Sequence, residues 1–260
     1  MGLTTALETM TRRALPASGA RLAKRLTVPL RFRSQLAEAR EGYRTHADDY
    51  PQHTLFVAGL PKSGTTWLER MLASYPGFHE VMIPDVAAHE MRAGGSHDYD
   101  LPDDFFERFK NALVLSKMHV PGSAHNVSLL KRAGVRYAVL FRDLRDVAVS
   151  NFYYVRNTPW HPEHPYYKDA TLARGLRTFA DRTLDAYADW VRSWDANRDP
   201  EASIVLRYEE MLKDPHAALR SSARLFGLDD SEQTIDAIVA KHSFKHMSGG
   251  REQGQSDEQR

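Results

Sequence analysis

No cysteine occurs anywhere in the 260 residues. Disulfides, thiolate metal sites and a cysteine nucleophile are excluded together, and a cytoplasmic setting fits. No run of about 18 apolar residues is present, so nothing in the sequence is built to span a bilayer. No charge of one sign dominates. Lys and Arg number 35 against 34 Asp and Glu, a net charge of +1, which leaves no global field to draw nucleic acid. There is no internal repeat and no low-complexity tract. What remains, 42% apolar and 27% charged residues, is ordinary for a globular enzyme of one large domain or at most two small ones.

The one local charge excess is at the start. Residues 1–40 hold eight basic residues (Arg12, Arg13, Arg21, Lys24, Arg25, Arg31, Arg33, Arg40) and two acids, Glu8 and Glu38. Their apolar residues are scattered, without the compact apolar stretch of a secretory signal. Residues 1–47 are therefore read as a basic arm. Such an arm would allow weak peripheral contact with an anionic membrane. A solvated helix packed on the body, or a frayed terminus, is the favoured alternative.

The body runs from residue 48 to residue 260. Four nearly continuous apolar runs, Thr54–Gly59, Ala112–Lys117, Val135–Arg142 and Ser203–Tyr208, suit strands covered on both faces, as in a parallel sheet. Helical patterns alternate with them at Thr65–Tyr75, Ser123–Ala133, Asp143–Tyr154, Leu172–Trp194, Pro215–Phe226 and Ser231–Lys241. The segment Asn157–Lys168, rich in Pro and aromatics, reads as a loop. The fold class is α/β, a three-layer P-loop-like domain with a central parallel sheet flanked by helices. Ligands of such sheets sit at the carboxyl ends of the strands. Those ends carry Gly59-Leu-Pro-Lys-Ser-Gly-Thr-Thr66, Lys117-Met-His119, Arg142-Asp-Leu-Arg145 and Arg207-Tyr208-Glu209. Such an edge suits an anion.

The segment Gly59–Thr66 nearly fits the phosphate loop G-x-x-x-x-G-K-[ST]. Its glycines let backbone wrap a phosphate, and the helix that follows aims free N–H groups at it. Thr65 stands where an ATP-binding loop has its lysine, and the lysine lies inside the loop at Lys62. No acid is plainly placed to hold Mg²⁺ at the end of the third strand, where Arg142 sits. A metal-free phosphate site is expected. A nucleotide or small-molecule kinase and a non-catalytic anion-binding module are the rival readings.

Pro61-Lys-Ser-Gly-Thr-Thr-Trp67 resembles the signature loop of the sulfotransferases that use 3′-phosphoadenosine 5′-phosphosulfate (PAPS). Lys117-Met-His-Val-Pro121 is similar to the family's Lys-Thr-His-Leu-Pro segment, and Arg142–Ser150 resembles its 3′-phosphate motif. Arg207–Met211 and His242–Arg251 resemble two later segments, all in family order. The resemblance implies a sulfotransferase with PAPS as donor co-substrate and no metal. The acceptor would be a hydroxyl or amine on a small molecule, lipid or sugar.

The resemblance also implies roles. His119 would be the base, Lys62 would neutralise the leaving oxygen, and Lys117 would contact the sulfuryl oxygens. Ser63, Gly64, Thr65 and Thr66 would hold the 5′-phosphosulfate. Trp67, Tyr208 and Phe244 would surround the adenine, with core packing the alternative for Trp67. Arg142 and Ser150 would bind the 3′-phosphate, and Arg251 would be a further donor-binding residue. Arg145 and Asp146 read as helix-start charge pairs. An acceptor wall is expected from Tyr75, Phe78, Met82, Ile83, His89, Tyr153, Tyr154 and Trp160. His161 and His164 lack a third ligand for zinc. Two departures stand out. His242 replaces a common threonine, and the sequence ends at Gln259-Arg260 before the family's Arg-Lys-Gly and Gly-Asp-Trp, so weaker donor binding is expected.

Overall fold

A computed structural model describes residues 17–243, with side chains from residue 27 onward. Five parallel strands form one sheet: β1 (Thr54–Gly59), β2 (His79–Glu80), β3 (Val114–Met118), β4 (Tyr137–Phe141) and β5 (Ser203–Arg207), in the order β2-β3-β1-β4-β5. Around them lie α1 (Ala17–His46), α2 (Thr65–Leu72), α3 (Pro84–Ala93), α4 (Ala124–Arg132), α5 (Leu144–Arg156), α6 (His164–Tyr167), α7 (Leu172–Arg182), α8 (Leu184–Asn197), α9 (Tyr208–Lys213), α10 (Pro215–Phe226) and α11 (Glu232–Lys241).

The apolar runs are strands because alternate side chains feed two different cores. On one face Phe56, Ala58, Val114 and Val139 pack with Leu129 of α4, Val147 of α5 and Trp190 and Trp194 of α8. On the other face Leu55, Val57, Leu115 and Leu140 pack with Leu68 and Met71 of α2, Leu219 and Phe226 of α10 and Ile235 of α11. The result is helix, sheet, helix. β1 lies at the centre, so its carboxyl end is flanked by those of β3 and β4.

The first strand has the bounds read from sequence, and the ends of the other three differ by at most two residues, as ends usually do. The two-residue β2 carries too little pattern to be read from sequence. The stretch read as one helix over Leu172–Trp194 is two, α7 and α8. They break at Thr183, whose φ of −130° and ψ of −31° leave the helical region. The Pro-rich loop contains the single turn α6, pinned by the buried Tyr167. Helix starts follow side-chain caps: Ser123, Asp143, Thr171, Asp214 and Ser231 each accept a backbone N–H near the next helix's start, at about 1 kcal/mol apiece.

Helix α1 packs on the body. Ala39 is fully buried in the first core, with Phe32 and Leu36 against it, and its carbonyl accepts from Leu113 N at 2.9 Å. Among the described residues no helix is long and apolar enough to cross a membrane.

Candidate active site

The loop between β1 and α2 is held by close contacts that only glycine permits. A Cβ on Gly59 would lie 1.9 Å from Thr65 Cγ2, so the threonine folds directly over the strand end. Gly64 has φ of 83° and its Cα faces the Tyr208 ring, which a Cβ would meet at 2.6 Å. Lys62 also takes a left-handed φ, 67°, a conformation a side chain adopts at a cost and chiefly at functional turns. The loop is anchored by Leu60 N donating to Leu140 O on β4 at 2.8 Å. Helix α2 then starts at Thr65 with no side-chain cap on its free N–H groups. Those donors and the positive end of the helix are available to an anion.

His119 follows β3 and its Nδ1 donates to the Gly59 carbonyl at 2.5 Å. A carbonyl only accepts, so the proton sits on Nδ1 and Nε2 keeps its lone pair. Burial first, then the Lys117 ammonium, push the imidazole down to about 4, with Glu90 and the Gly59 carbonyl pulling the other way and Lys62 adding to the fall. The ring is neutral at physiological pH. Trp190 Nε1 bonds the His119 and Val120 carbonyls at 2.9 and 2.8 Å, fixing the backbone that carries the ring.

Three cations line the same edge. The Lys62 ammonium lies 4.0 Å from the centre of the Tyr154 ring. The Arg142 guanidinium stacks 4.4 Å over Tyr208 and reaches Asp146 at 3.4 Å. Lys117 Nζ lies 3.9 Å from Glu69 Oε2. Arg145 pairs with Asp143, which this contact and the Arg145 N–H hold down at about 2. The expected helix-start pairs therefore form as Arg145–Asp143 and Arg142–Asp146.

Lys62, Ser63, Gly64, Thr65, Thr66, Lys117, His119, Arg142 and Tyr208 thus come to one edge through the contacts Gly59–Thr65, Gly59–His119, Gly64–Tyr208 and Tyr208–Arg142. Ser150 is half-buried on the second turn of α5. Trp67 is 6% exposed, packed in the second core, and its Nε1 donates to His242 O at 2.6 Å. The His242 ring meets Ser74 Oγ at 2.8 Å. Phe244 and Arg251 lie outside the described residues. The edge fits a phosphorylated donor on one further ground. Ser63 Oγ and Arg142 Nε are buried with no hydrogen-bond partner among the described residues, the state of polar atoms shaped to meet a ligand.

The acceptor wall needs correction. Tyr75 and Phe78 are buried in the second core and Ile83 in the first. Tyr75 gives its hydroxyl proton to Asp229 O at 2.9 Å. These residues follow α2 and β2 in sequence, but the chain turns them inward. Tyr154 does reach the edge. So does His161, whose ring packs 3.2 Å from the Cβ direction of Gly94 and lies edge-on to Tyr154. Its Nδ1 accepts from Glu163 N, and the His164 ring bonds Val155 O. Among the described residues no group of three or more His, Asp or Glu is placed to hold a metal ion.

Sequence reasoning assigned no role to three carboxylates. Glu69 is 5% exposed among Trp67, Leu68, Met71 and Leu72. An acid inside an apolar helical stretch was the available signal. Glu209 Oε1 accepts from Asp143 N at 2.9 Å, tying the turn behind Arg142 to α9. Glu90 accepts from the fully buried Ser96 at 2.8 Å and acts on His119 through space. No sequence spacing announces the last two.

Residues 52–260 match the sequence model of the family described as "Sulfotransferase domain". Sulfotransferase 1A1 of Canis lupus familiaris is 25% identical over 233 residues, 85% of this chain and 73% of that protein. Its Bos taurus counterpart is 26% identical over 222 residues, 80% and 68%. Among solved structures, mouse sulfotransferase SULT7A1 complexed with PAP superposes with a TM-score of 0.56 at 20% identity, covering 84% of this chain and 74% of that one. The five-stranded sheet, its loop at the end of the central strand and a family match running from residue 52 to the last residue lead to one assignment: the chain belongs to the sulfotransferase family.

Proposed function

We propose that the chain moves a sulfuryl group from PAPS to a hydroxyl or amine of a small-molecule, lipid or sugar acceptor, with His119 as the base. The donor supplies an activated sulfuryl group bonded to its 5′-phosphate. N–H groups of Gly64, Thr65 and Thr66 cradle that phosphate at the start of α2, and Ser63 offers its buried hydroxyl, its own N–H being given to the Leu60 carbonyl at 3.3 Å. Arg142 and Ser150 grip the 3′-phosphate, arginine by its planar fork. Tyr208 flanks the adenine, and Trp67 backs the site from the second core. His119 Nε2 takes the acceptor's proton as the acceptor atom bonds to sulfur. The bridging sulfur–oxygen bond breaks, and Lys62 meets the charge left on the phosphate oxygen. Lys117 steadies the sulfuryl oxygens. The complex of mouse sulfotransferase SULT7A1 with PAP, whose fold this chain shares, supports the donor assignment.

The observation that carries this reading is the His119 hydrogen bond. With Nδ1–H spent on Gly59 O, the basic nitrogen is the other one, and the ring is uncharged above about pH 4. The test uses His119→Ala with ³⁵S-labelled PAPS and a panel of phenols, sterols, amines and sugars. Transfer should fall by at least ~10²-fold, while calorimetry finds adenosine 3′,5′-bisphosphate bound as in the wild type. Undiminished transfer by the variant refutes the base.

A further inference from the structure

The buried acid beneath the phosphate loop has no part in the reaction as described. Glu69 lies on α2, 5% exposed. One of its oxygens, Oε1, is buried without a hydrogen-bond partner. The other, Oε2, is 3.9 Å from Lys117 Nζ. Burying a carboxylate costs several kcal/mol unless it is paired, and a 3.9 Å contact with one orphaned oxygen is poor pairing. Packing alone would have been served by an apolar residue here, as it is at the buried positions Trp67, Leu68, Met71 and Leu72 of the same helix.

The charged groups facing Glu69 come from three elements. Lys117 approaches from β3, Glu80 from the edge strand β2, and Arg70 from α2 itself. Burial is the largest influence and raises the carboxyl. Lys117 and Arg70 lower it, Glu80 raises it through its charge, and the outcome is about 7. Near neutrality the Lys117 ammonium therefore faces a partner that is half carboxylate and half acid.

We propose that Glu69 is the positioning residue for Lys117: it holds the ammonium at the end of β3 while the site is empty and, by taking up a proton, gives it over to the anionic donor. The inference rests on the sulfotransferase reading, because it needs an anion that competes for Lys117. With the donor in place the ammonium turns toward the sulfuryl oxygens. Glu69, left in its buried position without the ammonium, is then stable only as the acid. Its proton comes from solvent, so the balance is one proton taken up per donor bound wherever free Glu69 is ionised.

Calorimetry of PAPS binding between pH 7 and pH 8.5, in two buffers of different ionisation enthalpy, tests this. In that window the donor's 3′-phosphate is already a dianion and His119 is neutral, so neither contributes. The wild type should take up a proton on binding, and its affinity should fall by up to about tenfold from pH 7 to pH 8. Glu69→Gln and Lys117→Met should each bind with no proton uptake and a flat affinity across the window. Equal proton uptake in the wild type and either variant overturns the assignment, as does donor binding by the wild type without uptake. Absence of any PAPS binding by the wild type overturns the sulfotransferase reading as well, and is thereby told apart from failure of the Glu69 role alone.

Discussion

Two titratable groups at this edge, the buried Glu69 and the half-buried His119, shape the stability of the protein against pH in opposite directions, and each can be removed. Burial raises Glu69 from its ordinary 4.5 to about 7. Unfolding releases it to titrate at 4.5, so between those values the folded chain holds a proton the unfolded chain has lost. Stability contributed by the acid form is complete below pH 4.5 and drains away as pH rises to about 7, about 3 kcal/mol in all. Burial lowers His119 from 6.5 to about 4. Here the unfolded chain binds the extra proton. Stability is complete above pH 6.5 and drains away as pH falls toward 4, again by about 3 kcal/mol. The two slopes nearly cancel in the wild type. Glu69→Gln keeps the shape and removes the titration, which unmasks His119. Urea unfolding followed by circular dichroism at pH 4.5, 5.5, 6.5 and 7.5 reads the difference. Glu69→Gln and wild type should coincide at pH 4.5, and the variant should lead by about 3 kcal/mol at pH 7.5, roughly 6 °C in Tm. His119→Gln should lead the wild type at pH 4.5 and lose that advantage by pH 7. A stability gap between Glu69→Gln and wild type that does not change with pH refutes the reasoning, since a merely better-packed side chain would give that.

Gly64→Ala should abolish donor binding and destabilise the fold by about 1–3 kcal/mol, because φ of 83° and a Cβ 2.6 Å from the Tyr208 ring are both intolerable. Calorimetry with adenosine 3′,5′-bisphosphate and a thermal melt check it. Arg142→Lys keeps the charge but loses the planar fork and the stack on Tyr208, so affinity for the same ligand should fall about tenfold or more. Unchanged affinity would remove Arg142 from the 3′-phosphate site.

The three-layer architecture was legible because its strands are apolar on both faces, a pattern tied directly to double-sided burial. The edge bearing Lys62, His119 and Arg142 was legible because parallel strands all end on one side, which turns positions in sequence into neighbours in space. What failed needed tertiary knowledge. Tyr75 and Phe78 look like pocket residues in sequence, and only the turn after α2 shows that they point into the second core. The break at Thr183 leaves no mark in hydrophobic spacing, since α7 and α8 keep the same buried side. Glu209 reaches the turn behind Arg142 from 66 residues away, and no local pattern encodes such a contact.

Each cation of the edge rests on a partner it can leave cheaply. Lys62 lies on the face of Tyr154, Arg142 on that of Tyr208 with a long reach to Asp146, and Lys117 beside a carboxyl near its titration point. Tight ion pairs would have to be broken before an anion could bind, at several kcal/mol for each desolvated pair. Bare cations packed together would repel one another and scatter into water. Aromatic faces worth about 0.5–2 kcal/mol and a half-protonated acid avoid both outcomes. They keep long side chains near their working positions, so less rotamer freedom is lost when an anion arrives, and they give way to a phosphate or sulfuryl oxygen that offers more. A chain with this arrangement must exchange partners as it binds, and for Lys117 the exchange has to move a proton.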